Sequence, residues 1–219
     1  VDAFLAMREE EARIWGTIKR TYVVSKGIDL ERFHPIDVPA HDPANLQSKL
    51  SGSPSVLYCE HWRGQRNPLY WCVAMEQVFQ KFPQARLHLF NSPGGKMHET
   101  FKALIAHNKW WTFIRTLNGA VPDAEVNALY NRADIVVSGL FPLYARSIEA
   151  FGAGKAFIGP GYTDPAYPWH CDYHPDSMAK ALVDCWEGYS KVDYRYWAEQ
   201  KHDVNDTVRQ VMAIVQRYQ

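Results

Sequence analysis

No run of apolar residues in this chain reaches the length of a bilayer span, and no basic stretch followed by an apolar core opens it. Neither a transmembrane segment nor a secretion signal is therefore expected. An excess of one charge is missing too. The 24 basic residues are matched by 24 acidic ones, so no global field would recruit nucleic acid or an anionic membrane. Cysteine is sparse: Cys59, Cys72, Cys171 and Cys185 make no CxxC pair and sit inside apolar patterns. That predicts reduced core thiols in a cytoplasmic protein rather than disulfides. Internal repeats and low-complexity segments are absent. His170, Cys171 and His174 invite a zinc reading but lack a fourth ligand at suitable spacing, so no metal is expected. Ser92-Pro93-Gly94-Gly95-Lys96 lacks the spacing and the Ser/Thr of a phosphate-binding P-loop and reads as a turn.

What is present is a well-packed globular composition, with 14% aromatic residues and eight Trp. From Ser55 onward short β-rich runs alternate with helical patterns. Strands are predicted at Ser55–Cys59, Arg86–Phe90, Thr112–Thr116, Asp134–Ser138 and Lys155–Gly159. Asn67-Pro68 opens a helix in cap and first-turn order, with Leu69, Cys72, Val73 and Phe79 inward. Another helix covers Met97–His107, and a third starts at Pro122-Asp123 with Val126, Leu129 and Tyr130 inward. Met178, Ala181, Leu182 and Cys185 mark a fourth at i, i+3, i+4, i+7. Strands interleaved with helices in this way predict an α/β fold, a parallel sheet covered on both faces.

The ends read differently. Residues 1–20 are predicted as a linking helix, its pattern spanning residues 1–18 with the acidic run Glu9-Glu10-Glu11 on a solvated face. Residues 21–190 form the α/β domain, entered by a short strand at Tyr22–Ser25 and a loop from Pro35 to Pro54. Residues 191–219 form a helical extension, where Val204, Val208, Val211, Met212 and Val215 make one apolar stripe that needs a cover.

The most informative stretch runs from Asp134 to Ala150. It joins a buried β pattern to a helix whose second turn carries one carboxylate, Glu149, beside the small residues Ala150, Gly152, Ala153 and Gly154. A helix N-terminus near Ala145, Arg146 and Ser147 would offer unpaired N–H groups to a phosphate. Glu149 could accept hydrogen bonds from a ribose diol, or it could be an ordinary surface glutamate. Arg63, Arg66 and Arg146 are candidate phosphate clamps, or solvated charges. Asn118-Gly119 falls at a strand's carboxyl end, where such sheets bind ligands, or makes a plain turn. Trp110-Trp111 is expected to pack against the sheet edge.

In order and spacing, several segments resemble the C-terminal half of retaining nucleotide-sugar glycosyltransferases with the GT-B fold. They are Val24–Pro35, Arg66-Asn67-Pro68, Phe82–Leu87, Gly119–Pro122, Leu129–Asp134, Ser138–Gly154 and Asp176–Ala179. The resemblance implies one three-layer Rossmann-like half of a GT-B enzyme, binding a nucleoside-diphosphate sugar without a metal. It further implies ribose on Glu149, diphosphate on the Ala145–Ser147 turn with Arg63 or Arg66, and the base near Leu117–Gly119. It also implies glycosyl transfer with retention, needing an N-terminal acceptor domain or a partner subunit. The sequence departs from the pattern in two places. Phe141 stands where the first of two glutamates separated by seven residues would be, and Glu60-His61 replaces a Gly-Arg pair. These departures also admit a catalytically lapsed nucleotide-sugar-binding module, the uncovered stripe of the tail helix admits a subunit of a split enzyme, and an epimerase of like architecture is a further rival. No catalytic residue is assigned.

Overall fold

A computed structural model describes residues 3–6, 9–17, 20–24, 27–38, 50–58, 60, 68–90, 96–117, 125–139, 145–160, 162 and 164–218. Five strands, β3 (Ser55–Tyr58), β4 (Arg86–Phe90), β5 (Ile114–Leu117), β6 (Ile135–Val137) and β7 (Ala156–Ile158), form one parallel sheet in the order β5-β4-β3-β6-β7. Leu57 lies at its centre, paired with His88 on one side and Val136 on the other. Every residue of β6 and β7, and Val56 to Tyr58 of β3, is fully buried. Successive side chains of a strand point to opposite faces, so both faces of the sheet are covered. Two helix groups supply the cover: α2 (Leu69–Lys81) packs against α6 (Pro175–Gly188), and α5 (Ala145–Gly152) packs against α4 (Val126–Arg132) and α7 (Tyr194–Lys201). This is the predicted α/β, three-layer Rossmann-like architecture.

Details differ from the sequence pattern. Residues 1–18 are not one helix: β1 (Ala3–Ala6) precedes α1 (Glu9–Gly16), and β1 pairs in parallel with β2 (Arg20–Val23). The Ala-Phe-Leu-Ala run looks helical by propensity, yet pairing with β2 decides it. Pro68 occupies the capping position of α2, which starts at Leu69, and its inward face is Trp71, Cys72, Ala74, Met75 and Val78. Val73 is 36% exposed, contrary to the expected face. The third predicted strand begins two residues late because Trp110–Thr112 forms a 3-10 turn behind a left-handed Lys109 (φ 56°). That turn buries Trp110 but leaves Trp111 60% exposed, so only the first of the pair packs inside. Residues 39–49 of the predicted loop, and Cys59, lie outside the described residues.

Among the described residues edge strand β7 has no strand neighbour on its outer side, and a side chain takes that place. The Tyr167 hydroxyl donates to the Phe157 carbonyl at 2.7 Å and accepts from the Phe157 N–H at 3.1 Å. Both backbone groups are thereby satisfied where a further strand would otherwise pair. Near the C-terminus, α8 (Val204–Val215) is joined to the entry segment by the Ile28 N–H donating to the His202 carbonyl and the Val204 N–H donating to the Ile28 carbonyl.

Candidate functional site

In this strand order the chain moves from β3 to one side of the sheet and returns on the other side with β6. The topological switch point, where α/β sheets of this kind receive ligands, therefore lies between the carboxyl ends of β3 and β6. α5, which follows β6, carries Glu149 in its second turn. The carboxyl group of Glu149 is half-buried, and its Oε2 accepts from the hydroxyl of Tyr130, a fully buried residue of α4, at 3.2 Å. The sequence pattern places Tyr130 facing inward on this helix but gives no sign of the bond its hydroxyl makes. Its hydroxyl is a hydrogen-bond donor to the acid.

The small residues after Glu149 have structural roles. α5 closes with Gly154 at φ +71°, its N–H donating to the Phe151 carbonyl at 2.9 Å while the Lys155 N–H reaches the Ala150 carbonyl at 2.9 Å. That is a Schellman cap, which favours glycine at the left-handed position. Gly152 faces Phe33, and a Cβ there would stand 2.8 Å from the Phe33 carbonyl oxygen. Packing and capping thus account for Gly152 and Gly154 without an anion.

Glu60 is a further site residue, one that sequence reasoning treated only as a departure from a motif. It follows the fully buried end of β3, is 5% exposed, and its Oε2 accepts from the Gly139 N–H just beyond β6 at 2.9 Å. A carboxylate just past a fully buried strand is the available signal, since burial demands a partner for it.

Of the other predicted site residues, Ala145, Arg146 and Ser147 form the first turn of α5 as expected for their backbone, and their side chains are outside the description. Asn118 and Gly119 follow directly on β5, whose carboxyl end is Leu117, but they lie outside the described residues, as do Arg63, Arg66, His61 and Phe141. His170 Nδ1 bonds the Tyr162 carbonyl at 2.9 Å, and His174 Nδ1 caps α6 by accepting from the Asp176 N–H at 3.3 Å. Burial pushes the Cys171 and Cys185 thiols up to about 12, and Cys72 higher still, so these thiols are not nucleophiles. Among the described residues no group of three or more His, Cys, Asp or Glu is arranged to hold a metal ion. None of the described helices is long and apolar enough to cross a membrane.

The chain has the fold of the C-terminal domain of GT-B glycosyltransferases. It is similar to sucrose-phosphate synthase from Thermosynechococcus elongatus (TM-score 0.77, 16% identity, 100% of this chain and 58% of that chain). It is also similar to HepE from Anabaena, solved with UDP and glucose (TM-score 0.76, 14% identity, 99% of this chain and 63% of that chain). A third similar structure is the C-terminal domain of LpcC, a group 1 family glycosyl transferase from Francisella tularensis (TM-score 0.62, 14% identity, 80% of this chain and 94% of that domain). The chain spans less than two thirds of the length of the first two proteins. No protein-family model and no curated protein sequence matches it.

Proposed function

We propose that this chain forms the nucleotide-sugar-binding half of a glycosyltransferase. The observation that carries this reading is Glu149, a half-buried carboxylate held by the Tyr130 hydroxyl in the helix that follows the switch point. An acid there accepts hydrogen bonds from both hydroxyls of a ribose. The N–H groups of Ala145, Arg146 and Ser147 at the start of α5 hold the diphosphate with the helix dipole. The likeness to HepE, solved with UDP and glucose, supports a nucleoside-diphosphate sugar as the ligand class. Arg63, Arg66 and Arg146 supply the positive charge that stabilises the departing diphosphate, so no metal is needed. Asn118 and Gly119 contact the base. The glycosyl group is transferred with retention once an acceptor-binding half is in place.

Two apolar surfaces favour such a second half, as an N-terminal domain or a partner subunit. The β1–β2 pair is a two-stranded parallel sheet exposing Leu5 and Val23, and sheets of that kind rarely stand uncovered. α8 exposes Val204, Val208, Met212 and Val215 and has no buried residue.

Calorimetric titration with UDP, GDP and ADP tests the reading. One of the three binds more tightly than millimolar, and Glu149→Ala weakens it by about tenfold or more. Absence of binding by all three rejects it, as does a Glu149→Ala variant with unchanged affinity. Binding without turnover when the acceptor-binding half is supplied identifies a catalytically lapsed module.

A further inference from the structure

The peptide joining Ser138 to Gly139 is held from both ends. Its carbonyl oxygen accepts from Trp71 Nε1–H at 2.7 Å, and its N–H donates to Glu60 Oε2 at 2.9 Å. The Ser138 N–H also donates to the Ile158 carbonyl of β7 at 3.2 Å. Gly159 closes the remaining side, where a Cβ would lie 2.3 Å from Ser138 Oγ. Trp71 and Ser138 are fully buried and Glu60 nearly so. In such surroundings a hydrogen bond holds its geometry firmly, and an unpaired group is costly. The acceptor of the Gly139 N–H is a buried carboxylate, a group whose charge is costly to remove from water. It stands at the switch point, where β6 ends and the chain turns toward α5.

We propose that Glu60 and Trp71 are positioning residues for the donor site. By fixing the plane of the Ser138–Gly139 peptide from both ends, they set the direction in which the chain leaves β6. That direction governs where the first turn of α5 and Glu149 stand relative to the crevice. The inference rests on reading that crevice as a nucleotide-sugar pocket. Neither side chain is required to touch the ligand. Glu60 acts as an acceptor, so Glu60→Gln, which keeps a carbonyl oxygen for Gly139, preserves the function and Glu60→Ala does not.

Two readouts test this, both at a temperature where every variant is folded. In calorimetry with the tightest-binding nucleoside diphosphate, Glu60→Ala weakens affinity about tenfold while Glu60→Gln stays within about twofold of the parent. By NMR without ligand, exchange of the Gly139 amide quickens about tenfold in Glu60→Ala but not in Glu60→Gln. A loss of melting temperature in Glu60→Ala with unchanged affinity would reduce Glu60 to a stabilising role and overturn the proposal. Equal loss of affinity in the Ala and Gln variants overturns it as well. If the parent protein binds no nucleotide, the donor-site reading fails first. Faster Gly139 exchange in Glu60→Ala then still upholds the clamp, and unchanged exchange overturns it. Should Glu60→Ala not fold, Trp71→Phe removes the donor at the other end of the peptide and faces the same two expectations.

Discussion

The Tyr130 hydroxyl donates to Glu149 Oε2 at 3.2 Å, tying the second turn of α5 to the buried face of α4. Tyr130→Phe keeps the ring and its place beside Phe33, 6.1 Å between centroids, and removes only the donor. A single hydrogen bond of this kind contributes about 1 kcal/mol to stability, so the melting temperature should fall only slightly. With that hydrogen bond to the carboxyl group gone, nucleoside-diphosphate affinity should fall about threefold to tenfold. Calorimetry beside a thermal melt separates the two effects.

His88 links a buried strand to pH. It is fully buried in β4, and its Nε2–H donates to the Ser51 carbonyl at 2.7 Å, leaving Nδ1 buried without a hydrogen-bond partner among the described residues. Burial lowers its pKa from 6.5 to about 4, opposed by the Ser51 bond and reinforced by Arg115 and Arg86. Between those values the unfolded chain carries the proton and the folded one does not. Stability is therefore full above the unfolded value and declines as pH drops from about 6.5 to about 4, by about 3 kcal/mol in total. Urea midpoints measured across that range should show the decline, and His88→Leu should flatten it.

Patterns along the chain revealed what depends on burial and local propensity. The alternation of β runs and helices located every strand of the main sheet, and β4 matches Arg86–Phe90 residue for residue. Interactions between distant residues left no such trace. Glu60 and Gly139 are 79 positions apart, as are Ser55 and Asp134, and nothing in the order of residues announces either bond. At the N-terminus, Ala3 and Ala6 around Phe4 and Leu5 favour a helix by propensity, and only pairing with β2 makes a strand. The small residues beyond Glu149 were legible as unusual but not in their cause, because Gly152 answers to Phe33, far away in the chain. Much of the candidate site was therefore readable as position and little of it as partnership.

Arg195 gathers two segments onto α7, the entry segment and the end of α5. Its Nη1–H groups donate to the Phe33 and Gly152 carbonyls at 2.7 and 2.8 Å, Nη2 reaches the Leu30 carbonyl at 3.3 Å, and Nε pairs with Glu199 at 2.8 Å. One acceptor, Gly152, closes α5, so the cation also meets the negative end of that helix's dipole. Arg195→Ala should destabilise the fold by about 2–3 kcal/mol, since hydrogen bonds to a charged group are lost and carbonyls go unsatisfied. Arg195→Lys should recover only part of that, because a compact ammonium cannot reproduce the planar fork. Denaturant titrations with unchanged slopes and lowered midpoints would show it.

Gly27 sits where the entry segment crosses the start of α8. A Cβ on Gly27 would lie 2.3 Å from Val204 Cα and 2.8 Å from Thr207 Oγ1. The first of these is backbone, so no rotamer change relieves it, and the paired segment around Ile28, His202 and Val204 must separate. Gly27→Ala should therefore cost about 1–3 kcal/mol and quicken hydrogen exchange at the Val204 amide while that of Leu57 in the sheet centre stays slow. Gly16→Ala is the matched control. Nothing lies within 4 Å of a Cβ at Gly16, the last residue of α1, and alanine there should leave stability unchanged or raise it by about 0.5 kcal/mol. If both variants behave alike, the close crossing of Gly27 and Val204 does not govern how α8 is held.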